Sequence, residues 1–187
     1  MAISLGAYNG KVQKEGDDDM IDNFVASIFA APLDGLSLGA SYSSSIASSD
    51  TLSEFVVDQD NLDKQVGGYS AFVTWTLFDR LTLIGEYVGS AGEFQAGEIY
   101  DATDPNKRQL TAWNAELGFA INDAWEIAAR YGGSSDGADM LHESEYGAVV
   151  NWRLFESTNI ALEYLHGTYE NDVTKDDVIT AQLAIVF

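Results

Sequence analysis

Two histidines have the neighbourhoods most capable of chemistry. His142 lies close to Asp139, Glu143 and Ser144. A histidine among carboxylates can serve as a general base, and a serine two residues away suggests a nucleophile for it to activate. Neither an Asp-x-His nor a Gly-x-Ser-x-Gly arrangement accompanies them, and His166 alternates with Tyr164 along what reads as a strand. We therefore expect no catalytic residue and no enzyme. The chain has no Cys, which removes thiolate metal sites and cysteine nucleophiles. Acidic runs at Asp17-Asp-Asp19 and Asp58-Gln-Asp-Asn-Leu-Asp63 offer the oxygen ligands that Ca²⁺ takes. Asp17, Asp18, Asp58 and Asp60 are accordingly weak Ca²⁺ candidates. Neither run has the Gly and closing Glu of an EF-hand loop, so the expectation is solvated acidic loops with no cofactor and no resident metal.

A second set of charges is spaced by strand geometry. Glu126 and Arg130 fall on one side of a strand, with Glu116 on the preceding strand and Arg153 on the following one. Their facing positions are expected to join Glu116, Glu126, Arg130 and Arg153 in one network. Glu86 and Glu163 share the same parity. Two readings stay open: the charges fill a narrow barrel by neutralising one another, or they line a selectivity constriction, where unpaired acids would favour cations.

These residues need elements to hold them. The stretch Val178-Ile-Thr-Ala-Gln-Leu-Ala-Ile-Val-Phe187 alternates with a period of two and ends on an aromatic residue. Bacterial outer-membrane barrels commonly end this way. Ten strands are predicted, at 2–9, 21–31, 36–45, 65–77, 81–90, 109–121, 125–133, 144–154, 159–168 and 177–187. Every second connection is tight: Pro32–Gly35, Phe78–Arg80, Asn122–Ala124 and Phe155–Thr158, rich in turn residues. The alternate connections are longer, and those spanning 11–20, 46–64 and 91–108 are acidic. Short turns at one end and long loops at the other, with an even strand count, are the layout of an outer-membrane barrel.

The two faces of the strands differ in kind. One parity carries Leu38, Ala40, Tyr42, Val73, Trp75, Leu117, Ile127, Val150 and Leu162, and from the third strand to the ninth it holds no Asp, Glu, Lys or Arg. An Arg or Lys in mid-bilayer costs about 2–4 kcal/mol, which is reason enough for that exclusion. Alternation alone would also suit a soluble barrel with the apolar face inside. The aromatic residues decide between them. Tyr42, Tyr69, Tyr87, Trp113, Tyr131, Tyr146 and Tyr164 stand at the long-loop ends, while Trp75, Trp125, Trp152 and Phe187 stand at the short-turn ends. Two such belts are the interface girdles of a membrane barrel. The second strand is apolar on both sides, and its parity is not assignable from sequence.

The bulk properties agree. A formal charge of −21 opposes binding to nucleic acid phosphates, and no apolar run approaches the ~20 residues of a spanning helix. The length of 187 residues fits a single barrel domain over 1–187. Met1-Ala2 leads straight into strand-like residues, so we expect a chain trimmed at its N-terminus.

With the strands placed, Ser4–Gly10, Asp22–Tyr42 and Ala112–Ile121 resemble the LbtU-type siderophore porin family of Gram-negative outer membranes, as do Trp125–Tyr131, Ile160–Tyr164 and the Phe187 terminus. The resemblance covers most of the chain, through elements generic to barrels. It implies passive uptake of iron chelates across the outer membrane. The fold expected is an all-β, antiparallel, up-and-down transmembrane barrel with short periplasmic turns and long acidic extracellular loops. Its expected partners are membrane lipid and lipopolysaccharide, the barrel-assembly machinery through the last strand, and a small solute or iron chelate. The alternative is a closed barrel with a charge-filled interior, serving as a structural or surface-interaction protein. The acidic loops would repel a polycarboxylate chelate, which weighs against the iron reading.

Overall fold

The structure is a computed structural model describing residues 1–12, 14, 21–138, 140–170 and 174–185. It is all-β: β1 (Ala2–Tyr8), β2 (Asn23–Leu33), β3 (Leu36–Ser43), β4 (Gly68–Leu77), β5 (Leu81–Ser90), β6 (Thr111–Ala120), β7 (Trp125–Ser135), β8 (Ser144–Phe155), β9 (Thr158–Thr168) and β10 (Lys175–Ile185). A single helical turn, α1 (Asp50–Ser53), interrupts the series. The strands form one sheet in the order in which they occur along the chain. Strands β1 and β2, β7 and β8, β8 and β9, and β9 and β10 pair antiparallel. The chain groups into two compact units, one of Met1–Ala30, Leu38–Ala71 and Tyr87–Thr111, the other of Ala31–Ser37, Phe72–Glu86 and Ala112–Phe187.

The tight turns follow their residues. At β2–β3, Gly35 takes φ +74 and its carbonyl accepts the Thr76 N–H at 2.9 Å. At β4–β5, Phe78 and Asp79 both lie near φ +53, the left-handed pair of a type I′ hairpin. At β6–β7, the Asn122 carboxamide oxygen accepts the N–H groups of Ala124 (2.9 Å) and Trp125 (3.0 Å), an Asx-turn that closes the hairpin.

In the first unit, the parity that sequence left open is resolved by one contact. The Phe24 and Tyr42 rings lie 5.8 Å apart, so Phe24, Ala26 and Ile28 share the uncharged face of β3. Through the β1–β2 register, Ala7, Leu5 and Ile3 join them, and Ser4, Gly6, Tyr8, Asn23, Val25 and Ser27 share the other face.

The buried apolar residues of this unit correct the expectation of simply solvated loops. They come from the connecting segments: Val12, Ala47, Leu52, Val56 and Leu62 early, then Val66, Phe94, Ile99 and Leu110. Among the described residues, Ala128 is the one apolar strand residue buried to the same degree. Each such side chain contributes about 1.5–3 kcal/mol when withdrawn from water, enough together to order segments with little regular structure. Backbone bonds tie the segments together: Val57 N–H to the Glu98 carbonyl (2.9 Å), Tyr100 N–H to that of Phe55 (2.8 Å), and a bridge between Phe94 and Arg108. Predicted strand ends at 65–67 and 109–110 belong to this loop core instead. Val66 and Leu110 are apolar because the loops bury them, and the alternation there imitates a strand.

In the second unit, β7 to β10 form a meander whose register aligns Trp125 with Trp152, Tyr131 with Tyr146, and Tyr146 with His166. The uncharged face stays exposed, with Leu117 at 47%, Ile127 at 42% and Trp75 at 38%, whereas Ala128 on the opposite face is at 6%. A water-soluble sheet buries its apolar face; here that face is the accessible one.

Candidate functional site

The charged face of the second unit holds three constellations. The first runs across the long-loop ends of β7, β8 and β10. Arg130 Nη2 donates to Glu145 Oε1, with the two charges in a salt bridge. The other oxygen of Glu145 meets His142 Nδ1 at 2.8 Å, and His142 Nε2 lies 3.4 Å from Asp176 Oδ2. The Tyr169 hydroxyl donates to that same oxygen at 2.8 Å, and its ring packs 4.6 Å from the His142 imidazole. The imidazole lies directly over Gly167, where a Cβ would come within 2.4 Å of Nε2. Guanidinium, carboxylate, imidazole and carboxylate thus alternate, each hydrogen-bonded to the next.

The second constellation is a small cleft of about 20 Å³ lined by Glu116, Arg130 and Glu163. Arg130 Nε is buried and has no hydrogen-bond partner. A space of that size accommodates about one water molecule.

The third is a cleft of about 510 Å³ at the short-turn end, where Glu126 and Arg153 meet Arg80, Asp79 and Asp123. There Asn151 Nδ2 donates to Glu126 Oε1 at 3.4 Å.

The four charges expected in one network are therefore divided. Arg130 and Glu116 line the small cleft, while Glu126 and Arg153 line the large one. Distance along the strand is the reason: four residues of extended chain span about 13 Å, beyond any ion pair. Arg130 turns instead to Glu145 on β8, which sequence reading passed over although it shares the parity of Asn151 and Arg153. Glu86 is exposed on β5.

The His142 and Ser144 pair that the spacing suggests is not assembled. Ser144 Oγ bonds Thr168 Oγ1 at 2.9 Å, and both ring nitrogens of His142 face carboxylates. Asp139 lies outside the described residues. Of the Ca²⁺ candidates, Asp17 and Asp18 also lie outside them. Asp58 is committed to its own loop, accepting the Asp60 N–H (3.1 Å) and Asn61 Nδ2 (3.0 Å). No three His, Asp or Glu side chains converge as a metal site among the described residues. Further along, the backbone N–H of Thr103 holds the Asp101 carboxyl below its usual range. The backbone N–H of Asn106, followed by Arg108, does the same for Asp104.

The girdle candidates on the uncharged face meet in cross-strand pairs. Tyr69 stacks with Tyr87 (5.8 Å), Trp113 meets Tyr131 edge-on (5.2 Å), and Trp125 lies nearly parallel to Trp152 (5.2 Å, 6°). Tyr146 packs against His166 at 5.0 Å. Tyr164 donates to Asp177, a carboxylate on this same face that the sequence reading placed at a strand end without giving it a role. Phe187 lies outside the described residues.

No family model and no curated protein matches the chain. Among solved structures, it is similar to the NanC porin in its rhombohedral crystal form, with a TM-score of 0.55 over 88% of this chain and 78% of that one. The fold is that of a porin barrel. At 13% identity the likeness concerns the fold; it supports a porin-like, antiparallel up-and-down barrel and does not single out the siderophore family.

Proposed function

We propose that the chain is a porin-like outer-membrane channel that admits small solutes passively, with its charged face toward the water path and its uncharged face toward lipid. The single observation that carries this reading is the inverted exposure of the sheet. Leu117 and Trp75 are open on the uncharged face while Ala128 is covered on the other. Lipid covers an accessible face of that composition at no cost, whereas water would not. Aromatic pairs near the strand ends fit the two bilayer interfaces. The lumen candidates are Glu86, Glu116, Glu126, Arg130, Arg153 and Glu163, joined by Glu145, and the excess of acids favours cations. Lipid and lipopolysaccharide would be its surroundings, the assembly machinery would read its last strand, and 1–187 would act as one domain. The test is conductance in planar bilayers: discrete steps whose cation preference rises in Arg153→Ala support it, and silence at all voltages counts against it.

Iron chelates are the finer form of this proposal, resting on the family resemblance. Uptake of a ferric chelate into liposomes carrying the protein tests it, and loss of uptake at low ionic strength would reflect the charge of −21.

A second reading has its own observation. The cleft at Glu116, Arg130 and Glu163 measures about 20 Å³, and Arg130 is already engaged by Glu145. That supports a closed barrel acting through its surface, which predicts no conductance.

A further inference from the structure

The first unit contains a cleft of about 480 Å³ that none of the charged constellations touches. Its floor is the serine-bearing face of β3 and β4, together with Tyr8 of β1 and Val25 of β2. Its roof is made by Ile46, Ser48, Ser49 and Asp50 of the segment after β3. We infer that this cleft is a binding site for a neutral polyhydroxylated solute, a sugar or polyol of one or two rings. The inference deepens the channel reading by naming a solute class, and rests on that reading only for how the solute arrives.

Three features carry it. The first is chemistry. Ser41 and Ser70 share a hydrogen bond of 2.8 Å, as do Tyr8 and Ser43. A hydroxyl has one donor and two acceptor positions, so the Ser41–Ser70 pair keeps a donor and several lone pairs for a ligand. Sugar hydroxyls, which also both donate and accept, are the complement of such a lining. Val25, Ile46 and Val88 supply apolar surface for the C–H faces of a ring.

The second is charge. Among the described residues, no Lys, Arg or His lines the cleft, and the one charged group lining it, Asp50, is exposed and bonded to Lys11 at 2.9 Å. An anionic ligand would find no counter-charge there, in a chain of net charge −21.

The third is order. The roof is fixed by the Ile46 N–H to the Val66 carbonyl (2.8 Å) and by the buried Ala47 and Leu52. A preformed site avoids the ordering cost that weakens flexible ones. The volume lies within the range typical of small-molecule sites, about 300–1,000 Å³.

The experiment is equilibrium binding to the whole chain in detergent micelles, read by saturation-transfer NMR and calorimetry, with sucrose, glucuronate and glucosamine as probes. Sucrose is expected to saturate. Ser41→Ala/Ser70→Ala should weaken it about tenfold, the effect of losing one or two neutral hydrogen bonds. Val88→Phe, which fills the cleft without touching the serines, should abolish it. The inference is overturned if folded protein shows no saturable sucrose signal, if both variants bind sucrose as well as the parent, or if glucuronate or glucosamine binds in preference. Because binding needs no conduction, a silent bilayer with sucrose binding intact would remove the channel and leave the site standing.

Discussion

Asp176 and Asp177 are adjacent on β10 and hold opposite faces of the sheet. Asp176 takes His142 Nε2 at 3.4 Å and the Tyr169 hydroxyl at 2.8 Å. Asp177 takes His166 Nδ1 at 3.0 Å and the Tyr164 hydroxyl at 2.6 Å. Each carboxylate joins a histidine and a tyrosine, so the start of β10 fastens both the charged and the uncharged side to the strands and loop before it. Alternation of side chains along a strand produces this from two identical residues.

The charged-side fastening depends on a residue with no side chain. Gly167→Ala would place a methyl group where the imidazole of His142 lies. We expect His142 to leave Asp176 while the β8–β9 pairing persists. The histidine resonances in NMR should shift for His142 and stay put for His166, and faster proteolysis within 136–143 should accompany the change.

Phe94 is fully buried at the centre of the loop core. Phe94→Ala should cost about 3–5 kcal/mol locally, as large-to-small core changes do. Hydrogen exchange should accelerate in 52–66 and 91–110 and remain slow in β7 to β9. Uniform acceleration across all strands would mean that the loops and the sheet open as one.

The two faces can be compared with one residue type. Leu117→Arg on the exposed uncharged face should destabilise the protein in lipid vesicles by about 2–4 kcal/mol, and Asn151→Arg on the other face by much less. Equal costs in urea titrations would contradict the assignment of the faces.

At the β4–β5 turn, Phe78 is 89% exposed and takes φ +53. The left-handed conformation costs a residue with a bulky side chain about 1–2 kcal/mol, and asparagine tolerates it. Phe78→Asn should therefore raise the unfolding midpoint without altering the slope.

The turns of the 91–110 loop carry a pH dependence. Hydrogen bonds lower the Asp101 and Asp104 carboxyls below their ordinary value of 3.8. A group lowered in the folded state stabilises it above the unfolded value, and loses that contribution as pH falls through the folded one. Cleavage within 101–106 by an acid-active protease should rise as the pH drops from about 5 toward 3, with little change above.

Much of the sheet was legible because one physical signal repeats from the third strand to the ninth. Leu38, Leu117 and Ile127 alternate with polar or small residues, and the tight turns carry Gly, Asp or Asn where the backbone needs them. The loop core was not, since Leu52, Val56, Leu62 and Val66 follow no period and have meaning only once Phe94 and Ile99 are brought to them. The charges were half legible. Parity puts Arg130 on the face of Glu116, Glu126 and Arg153, but finding Glu145 as its partner requires the register between β7 and β8. Strand β2, apolar on both sides, became readable through a single ring contact, Phe24 with Tyr42.

Because the loops share a packed interior, they will not accept foreign peptide everywhere. Residues 101–103 and 105–107 lie at the surface, so, on the outer-membrane reading proposed above, an epitope tag spliced there should be displayed to antibody on intact cells. The same tag placed beside Leu62 or Phe94 would wedge that interior apart, and immunolabelling should fall even though the strands still assemble.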